Sequence, residues 1–245
     1  MFFTRMTWIV LLVLVFLFGC ANHPTYYPEE ADVVFFKKAG ETELKLVKNG
    51  IERGYSASAA VAVTNHIFAK GRYSYSRLGN CDSCITHDRD YSEAAIGVSG
   101  LSSTVQKQEI MFGVGKGKIL SLESADPLST SSASQQAEGD YLRTYAQYNV
   151  GLIDARRFLL AATLRSSFVK NSSYELRDIN SAQLLTSEGR DWSIFVEPAL
   201  TMKGNMGRFS IYWQTGASVP VATDAQFNHD WIWSVLGASY RFRMF

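Results

Sequence analysis

The loop NCDSCITHDRD, residues 80–90, carries the densest group of reactive side chains in the sequence. Cys81 and Cys84 stand at C-x-x-C spacing, with Asp82, His87 and Asp88 beside them. Thiolates and imidazole suit zinc or copper, but a closed zinc site wants four ligands, and the sequence has one such cysteine pair. The same spacing serves redox pairs. In an oxidising compartment it also serves as a local disulfide that pins a loop, and this is the leading expectation. A hydrolase would need a nucleophile beside a base. His229-Asp230 offers a base, but no serine is singled out. No catalytic residue, metal ligand or cofactor is therefore expected.

A larger constellation is a set of charges that fall on one face of alternating segments. Glu43, Glu93, Glu109 and Glu197 could meet Lys45, Lys70, Arg72, Arg143, Arg165 and Arg241. If that face lines a narrow lumen, unpaired charges are costly, and these ten should form a network. The alternatives for the same face are a narrow pore and a cavity for a small ligand.

Period-2 alternation runs through the body of the chain. Tyr55, Ala57, Ala59, Val61 and Val63 oppose Ser56, Ser58 and Thr64. Leu142, Thr144, Ala146 and Tyr148 oppose Arg143, Tyr145 and Gln147. Trp192, Ile194, Val196 and Leu200 oppose Ser193, Glu197 and Lys203. About ten strands of this kind are predicted, and helical periodicity is convincing nowhere after residue 40. Short connections near residues 65, 154–156 and 204–207 alternate with long polar ones near 77–90, 117–140, 170–190 and 218–230. An even strand number puts the long loops at one end. The expected fold is all-β, a closed antiparallel up-and-down transmembrane β-barrel with short periplasmic turns and long outer loops. A soluble barrel would exchange the two faces. The aromatic and aliphatic face, with rings gathering toward strand ends, favours the membrane. The C-terminal YRFRMF resembles the recognition signal of outer-membrane barrels.

Residues 1–19 have one early cation, Arg5, and an apolar run from Trp8 to Phe18, too short for a comfortable helical span. Leu17-Phe18-Gly19-Cys20 resembles the lipobox of bacterial lipoproteins. That resemblance implies cleavage before Cys20 and acylation of its thiol, which makes Cys20 an anchor. Residues 20–40 are then expected to be a lipidated tether, since ANHPTYYPEEAD has two prolines and few aliphatics. Residues 41–245 would be the barrel.

FFKKAGETELKL, AAVAVTNHIFAKGRYSY and FVEPALTMKG resemble the early hairpins and a late strand of lipid-anchored outer-membrane barrels of Bacteroidetes. Surface lipoproteins of that phylum often have acidic residues after the cysteine. ANHPT has none, which implies an anchor at the periplasmic side of the outer membrane. The resemblance implies outer-membrane lipid as a partner, with envelope proteins or a small ligand as further candidates. Basic and acidic residues nearly balance, so no nucleic-acid partner is expected. The function so read is a structural, adhesive or accessory envelope role. The rivals are a narrow pore, a lipid-A-modifying barrel enzyme, and a periplasmic lipid-anchored soluble barrel that binds an apolar ligand.

Overall fold

The computed structural model describes Tyr26 and residues 28–49, 54–80, 85–100, 107–123, 135–155, 157–178, 184–188, 192–223 and 231–244. Cys20, Cys81, Cys84 and His229 lie outside these residues, as does the side chain of His87.

The described residues form one antiparallel sheet closed on itself. Its strands are β1 (Glu41–Asn49), β2 (Gly54–Ala62), β3 (Ile67–Asn80), β4 (Ile85–Ser99), β5 (Gln108–Glu123) and β6 (Gln135–Ala155). The chain continues through β7 (Phe158–Asp178), β8 (Leu184–Glu188), β9 (Trp192–Met206), β10 (Phe209–Ala217), β11 (Val219–Thr223) and β12 (Ile232–Arg243). Each strand from β1 to β7 pairs with the next. β7 then pairs with β9 over its lower part and with β8 over its upper part, so β8 and β9 make one line. β11 likewise continues β10 along β9. The wall is thus ten staves, and β1 closes on β12 from Glu41↔Arg243 to Asn49↔Val235.

Alternation dictates which face goes where. Leu46, Tyr55, Ile96, Phe112, Leu164 and Leu236 point outward and are exposed, each by more than half of its surface. Their neighbours in sequence point inward and are buried, among them Lys45, Ser56, Arg165 and Val235. Water would penalise such an exterior, since contiguous apolar patches on soluble proteins are small. A bilayer suits it, because hydrocarbon takes apolar side chains and a closed sheet leaves no backbone group unpaired there. Phe158, Phe209 and Tyr240 gather toward the turn end of the wall, while Tyr75, Phe168 and Trp192 gather toward the loop end. This is the double aromatic girdle of a membrane-spanning barrel. Replacement of Leu164 by Arg should therefore lower folding stability by about 2–4 kcal/mol, as a cation at mid-membrane does. The measurement is folded fraction against urea in lipid vesicles. A soluble barrel would tolerate the change, since exposed substitutions there are usually worth less than about 0.5 kcal/mol.

Two connections at the turn end are tight. Between β9 and β10, Gly207 takes a φ of 72° in a two-residue hairpin with Arg208, a conformation that favours glycine. Between β2 and β3, the Thr64 hydroxyl oxygen accepts from the backbone N–H of His66 and Ile67.

The loop end differs from the sequence expectation. Much of the stretches 77–90, 117–140 and 170–190 is strand. β6 and β7 reach 21 residues each, and β5 reaches 16. At about 3.3 Å per residue and a tilt near 40°, β6 rises roughly 50 Å, twice the apolar belt of about 25 Å. Beyond the belt both faces meet water, so the apolar half of the alternation disappears while the backbone pairing continues.

A second difference concerns the expected tether. Residues 28–36 lie inside the barrel and are buried throughout. A segment with few aliphatics can be a core segment here because the lumen that receives it is itself polar.

Candidate functional site

The lumen is the candidate site. Every one of the ten charges predicted to line it faces inward. Glu43, Lys45, Lys70, Arg72, Glu93, Glu109, Arg143, Arg165 and Glu197 are buried, and Arg241 is half-buried near the turn end.

Each of the four wall carboxylates gathers its own partners. Near the turn end, Glu43 accepts from Lys203 Nζ at 2.8 Å and from Arg241 Nε at 2.9 Å. In the middle, Glu93 pairs with Lys70 and accepts from the hydroxyls of Tyr91 at 2.9 Å and Tyr145 at 3.1 Å. Higher up, Glu197 receives Arg165 Nε at 2.6 Å, Arg143 Nη2 at 3.1 Å and the Ser167 hydroxyl at 2.6 Å. The Arg143 guanidinium also lies over the Tyr145 ring, 4.9 Å from its centroid. Glu109 accepts from Asn149 Nδ2 at 2.5 Å.

Glycines make room for the rings. Gly113, Gly115 and Gly117 are successive inward positions of β5, and Tyr145, Tyr91 and Tyr141 lie directly over them. A Cβ at Gly115 would stand 2.2 Å from the Tyr91 hydroxyl. The smallest residues thus allow the largest ones to lie flat along the wall.

Into this wall fits the N-terminal segment, which the sequence reading did not place there. Asp32 is its hub. The Asp32 carboxylate pairs with Lys45 Nζ at 2.5 Å, and also with Lys70 and Arg72. Glu30 meets Arg72 Nη2 at 3.2 Å and accepts from the Ser56 hydroxyl at 3.0 Å. Glu29 pairs with Arg89 and accepts from the Ser74 hydroxyl at 2.9 Å. The segment's backbone is held as firmly. The Gln214 amide takes both sides of Ala31, accepting from its N–H at 2.8 Å and donating to its carbonyl at 2.7 Å. Gln147 and Asn149 donate to the Asp32 carbonyl at 2.6 and 2.7 Å. The N–H of Phe35, a residue with φ of 45°, donates to Glu109 at 2.8 Å. That left-handed backbone is sparsely populated for a bulky side chain and persists because Glu109 and the wall fix it.

Charge bookkeeping explains the fit. Seven buried cations stand on the wall: Lys45, Lys70, Arg72, Arg89, Arg143, Arg165 and Lys203. Four buried carboxylates stand there with them: Glu43, Glu93, Glu109 and Glu197. Seven less four leaves three positive charges, and Glu29, Glu30 and Asp32 supply three negative ones. Arg89 was missed in the sequence, and Lys203, though placed on the inward face, was left out of the predicted network, because their roles depend on partners far along the chain. The one available signal was the acidic group Glu29, Glu30 and Asp32, set close together in the tether with its nearest cations, Lys37 and Lys38, beyond the apolar run Val33–Phe36.

The segment closes the lumen. A water-wide passage would leave its lining accessible. Instead Glu109, Arg143 and Asn149 have no accessible surface, and Arg165, Glu197 and Gln147 have 2% or less. Above them Tyr26 stacks on Phe195 and meets Tyr141 edge-on, with Ile119 and Val169 in the same cluster. Below them Phe36 packs against Phe68 and Met111.

A closed ten-stave barrel with a lipid-facing exterior and a charged, filled interior defines the class: a membrane-spanning β-barrel of the up-and-down type. No family model matches the chain, and no curated protein matches it. Among solved structures it is similar to the translocator domain of autotransporter NalP from Neisseria meningitidis, at 14% identity, a TM-score of 0.39 and coverage of 82% of this chain and 86% of that one. It is also similar to LpxR from Salmonella typhimurium, at 6% identity, a TM-score of 0.39 and coverage of 82% and 100%.

Proposed function

We propose that this protein is an outer-membrane β-barrel lipoprotein with a structural, adhesive or accessory role, non-enzymatic and closed to solutes by its own N-terminal segment. The observation that carries this reading is the filled lumen. Three carboxylates of residues 29–32 offset the excess cations of the wall, and the innermost side chains are inaccessible to water. Such an interior supports a rigid membrane platform rather than a pore. The platform's free features are its loop-end strands, which rise past the apolar belt on β5, β6 and β7. Acylation at Cys20 adds a second attachment, and the barrel makes the first.

The test uses the intact protein and a Cys20→Ala form carried behind a plain signal peptide. Cys20→Ala should lose the acyl mass, resist a carbonate wash of the outer-membrane fraction and still shift on the gel when boiled. The intact protein should show no conductance steps in a planar bilayer, and cells lacking it should keep their lipid A mass profile. Release of Cys20→Ala by carbonate would mean that the lipid is the sole anchor. Conductance by the intact protein, or a changed lipid A, would replace the platform with a pore or an enzyme.

A further inference from the structure

The direction in which the N-terminal segment crosses the lumen has a consequence for the cell surface. β1 begins at Glu41 at the turn end, and the preceding residues turn back into the barrel from there. Gly40 sits at that end, donating to the Ala62 carbonyl at 2.8 Å and accepting from the Met244 N–H at 2.9 Å. Its neighbour Ala39 donates to Asn65 in the turn between β2 and β3. The contacts then climb steadily. On β3 the partners run from Phe68 under Phe36, through Lys70 and Arg72 at Asp32, to Ser74 at Glu29. On β4 they run from Ser99 at Phe36 to Arg89 at Glu29. On β6 they run from Asn149 at Asp32 to Tyr141 at Tyr26. Three staves give one direction, so Tyr26 is the end of the described segment nearest the loop end.

We propose that the chain preceding Tyr26 leaves the barrel through its outer mouth, so that acyl groups on Cys20 sit in the outer leaflet of the membrane, at the cell surface. This rests on the reading that the long-loop end faces outward and that Cys20 is lipidated.

Reach decides the matter. On β5, Phe35 is at the level of Glu109 and Tyr26 at the level of Ile119. Those ten strand positions correspond to about 33 Å of strand and about 25 Å along the barrel axis. Cys20 is six residues before Tyr26, a span of at most about 20 Å when fully extended. A chain that doubled back would end short of the level of Phe35, still within the barrel. It would also have to share a lumen whose lining is already inaccessible to water. The inner leaflet, the anchor side expected from ANHPT, is therefore out of reach for a lipid on Cys20. The outer leaflet is within reach past the described ends of β1 at Asn49 and β12 at Ile232.

The experiment places one short epitope tag in three versions of the full-length protein: after Asn22, in the loop at residues 124–134, and between Gly207 and Arg208. Antibody binding is compared on intact and permeabilised cells, using versions whose gel mobility still shifts on boiling. The tag after Asn22 should bind equally in both, like the loop tag, while the turn tag should gain several-fold on permeabilisation. A tag after Asn22 that is read only after permeabilisation, with the loop tag read before it, overturns the proposal. If the turn tag is read on intact cells and the loop tag is not, the proposal also falls, but through the orientation of the barrel. Thr25→Cys in a Cys81→Ser/Cys84→Ser background gives a version with no insertion. An impermeant maleimide should label it on intact cells, and absence of label there would again overturn the proposal.

Discussion

Deletion of residues 26–36 should turn a silent barrel into a conducting one that passes anions in preference to cations. With the segment present, the side chains at the middle of the lumen, Glu109, Arg143, Asn149 and Arg165 among them, are inaccessible to water. With it gone, eleven residues of volume become water, and the wall is left with seven buried cations against four carboxylates. The wall itself should survive. Its hydrogen-bonded staves close without help from the segment, from β1 on β12 round to β9 on β7. The exposed charges gain the solvation that buried ones lack. A lumen lined by one sign of charge concentrates the counter-ion, and in a narrow pore the preference should be several-fold. The measurement is single-channel conductance and reversal potential under a salt gradient, with the intact protein alongside. A silent deletion variant whose mobility still shifts on boiling would mean that the wall collapses inward. A cation preference would mean that the charge count is wrong.

The second large effect is expected from Asp32→Asn. The amide keeps the size of the side chain and removes the charge that Lys45, Lys70 and Arg72 share. Removing one partner of a buried ion pair costs about 3–5 kcal/mol, because the other charge stays buried. Glu93 and Glu30 still reach Lys70 and Arg72, so the lower end, about 3 kcal/mol, is expected here. For a chain of this length that lowers the midpoint of thermal unfolding by roughly 10 °C. The temperature at which the unboiled band converts to the unfolded one reads the shift. The double variant Asp32→Asn/Lys45→Met should recover part of the loss, since it removes one of the stranded cations. An unchanged midpoint for Asp32→Asn would show that the Asp32 carboxylate does not stabilise the filled barrel through Lys45, Lys70 and Arg72.

The two faces of the wall were legible in the sequence because a membrane barrel obeys a strict alternation. Leu164 next to Arg165 and Trp213 next to Gln214 show it: one of each pair meets lipid and the other the lumen. The heights of the staves were not legible. Above the apolar belt β6 runs from Gln135 to Asp140 with no apolar face, so composition there reads as loop. The segment was missed for a related reason. Pro28-Glu29-Glu30 looks like a tether when burial is assumed to demand apolar residues, but a buried polar group needs only a partner. Its partners lie as far along the chain as Arg165 and Gln214, and no local pattern announces them. The apolar run Val33, Val34, Phe35 and Phe36, buried at the turn end, continued the same element. The C-x-x-C pair at Cys81 and Cys84 lies outside the described residues, and its expected disulfide stands as a reading of spacing and compartment.

The central claim is that the protein's own Tyr26 and residues 28–36 fill its lumen. Cysteines at Ala31 and Gln214, in a Cys81→Ser/Cys84→Ser background, test it most directly, because the two native side chains are joined there by a pair of hydrogen bonds. Treatment of the folded protein in its membrane with a short bis-thiosulfonate should link the two positions. The link closes a loop of most of the chain and changes the mobility of the boiled protein until reductant is added. A folded protein that gives no link would place the segment elsewhere and contradict the account.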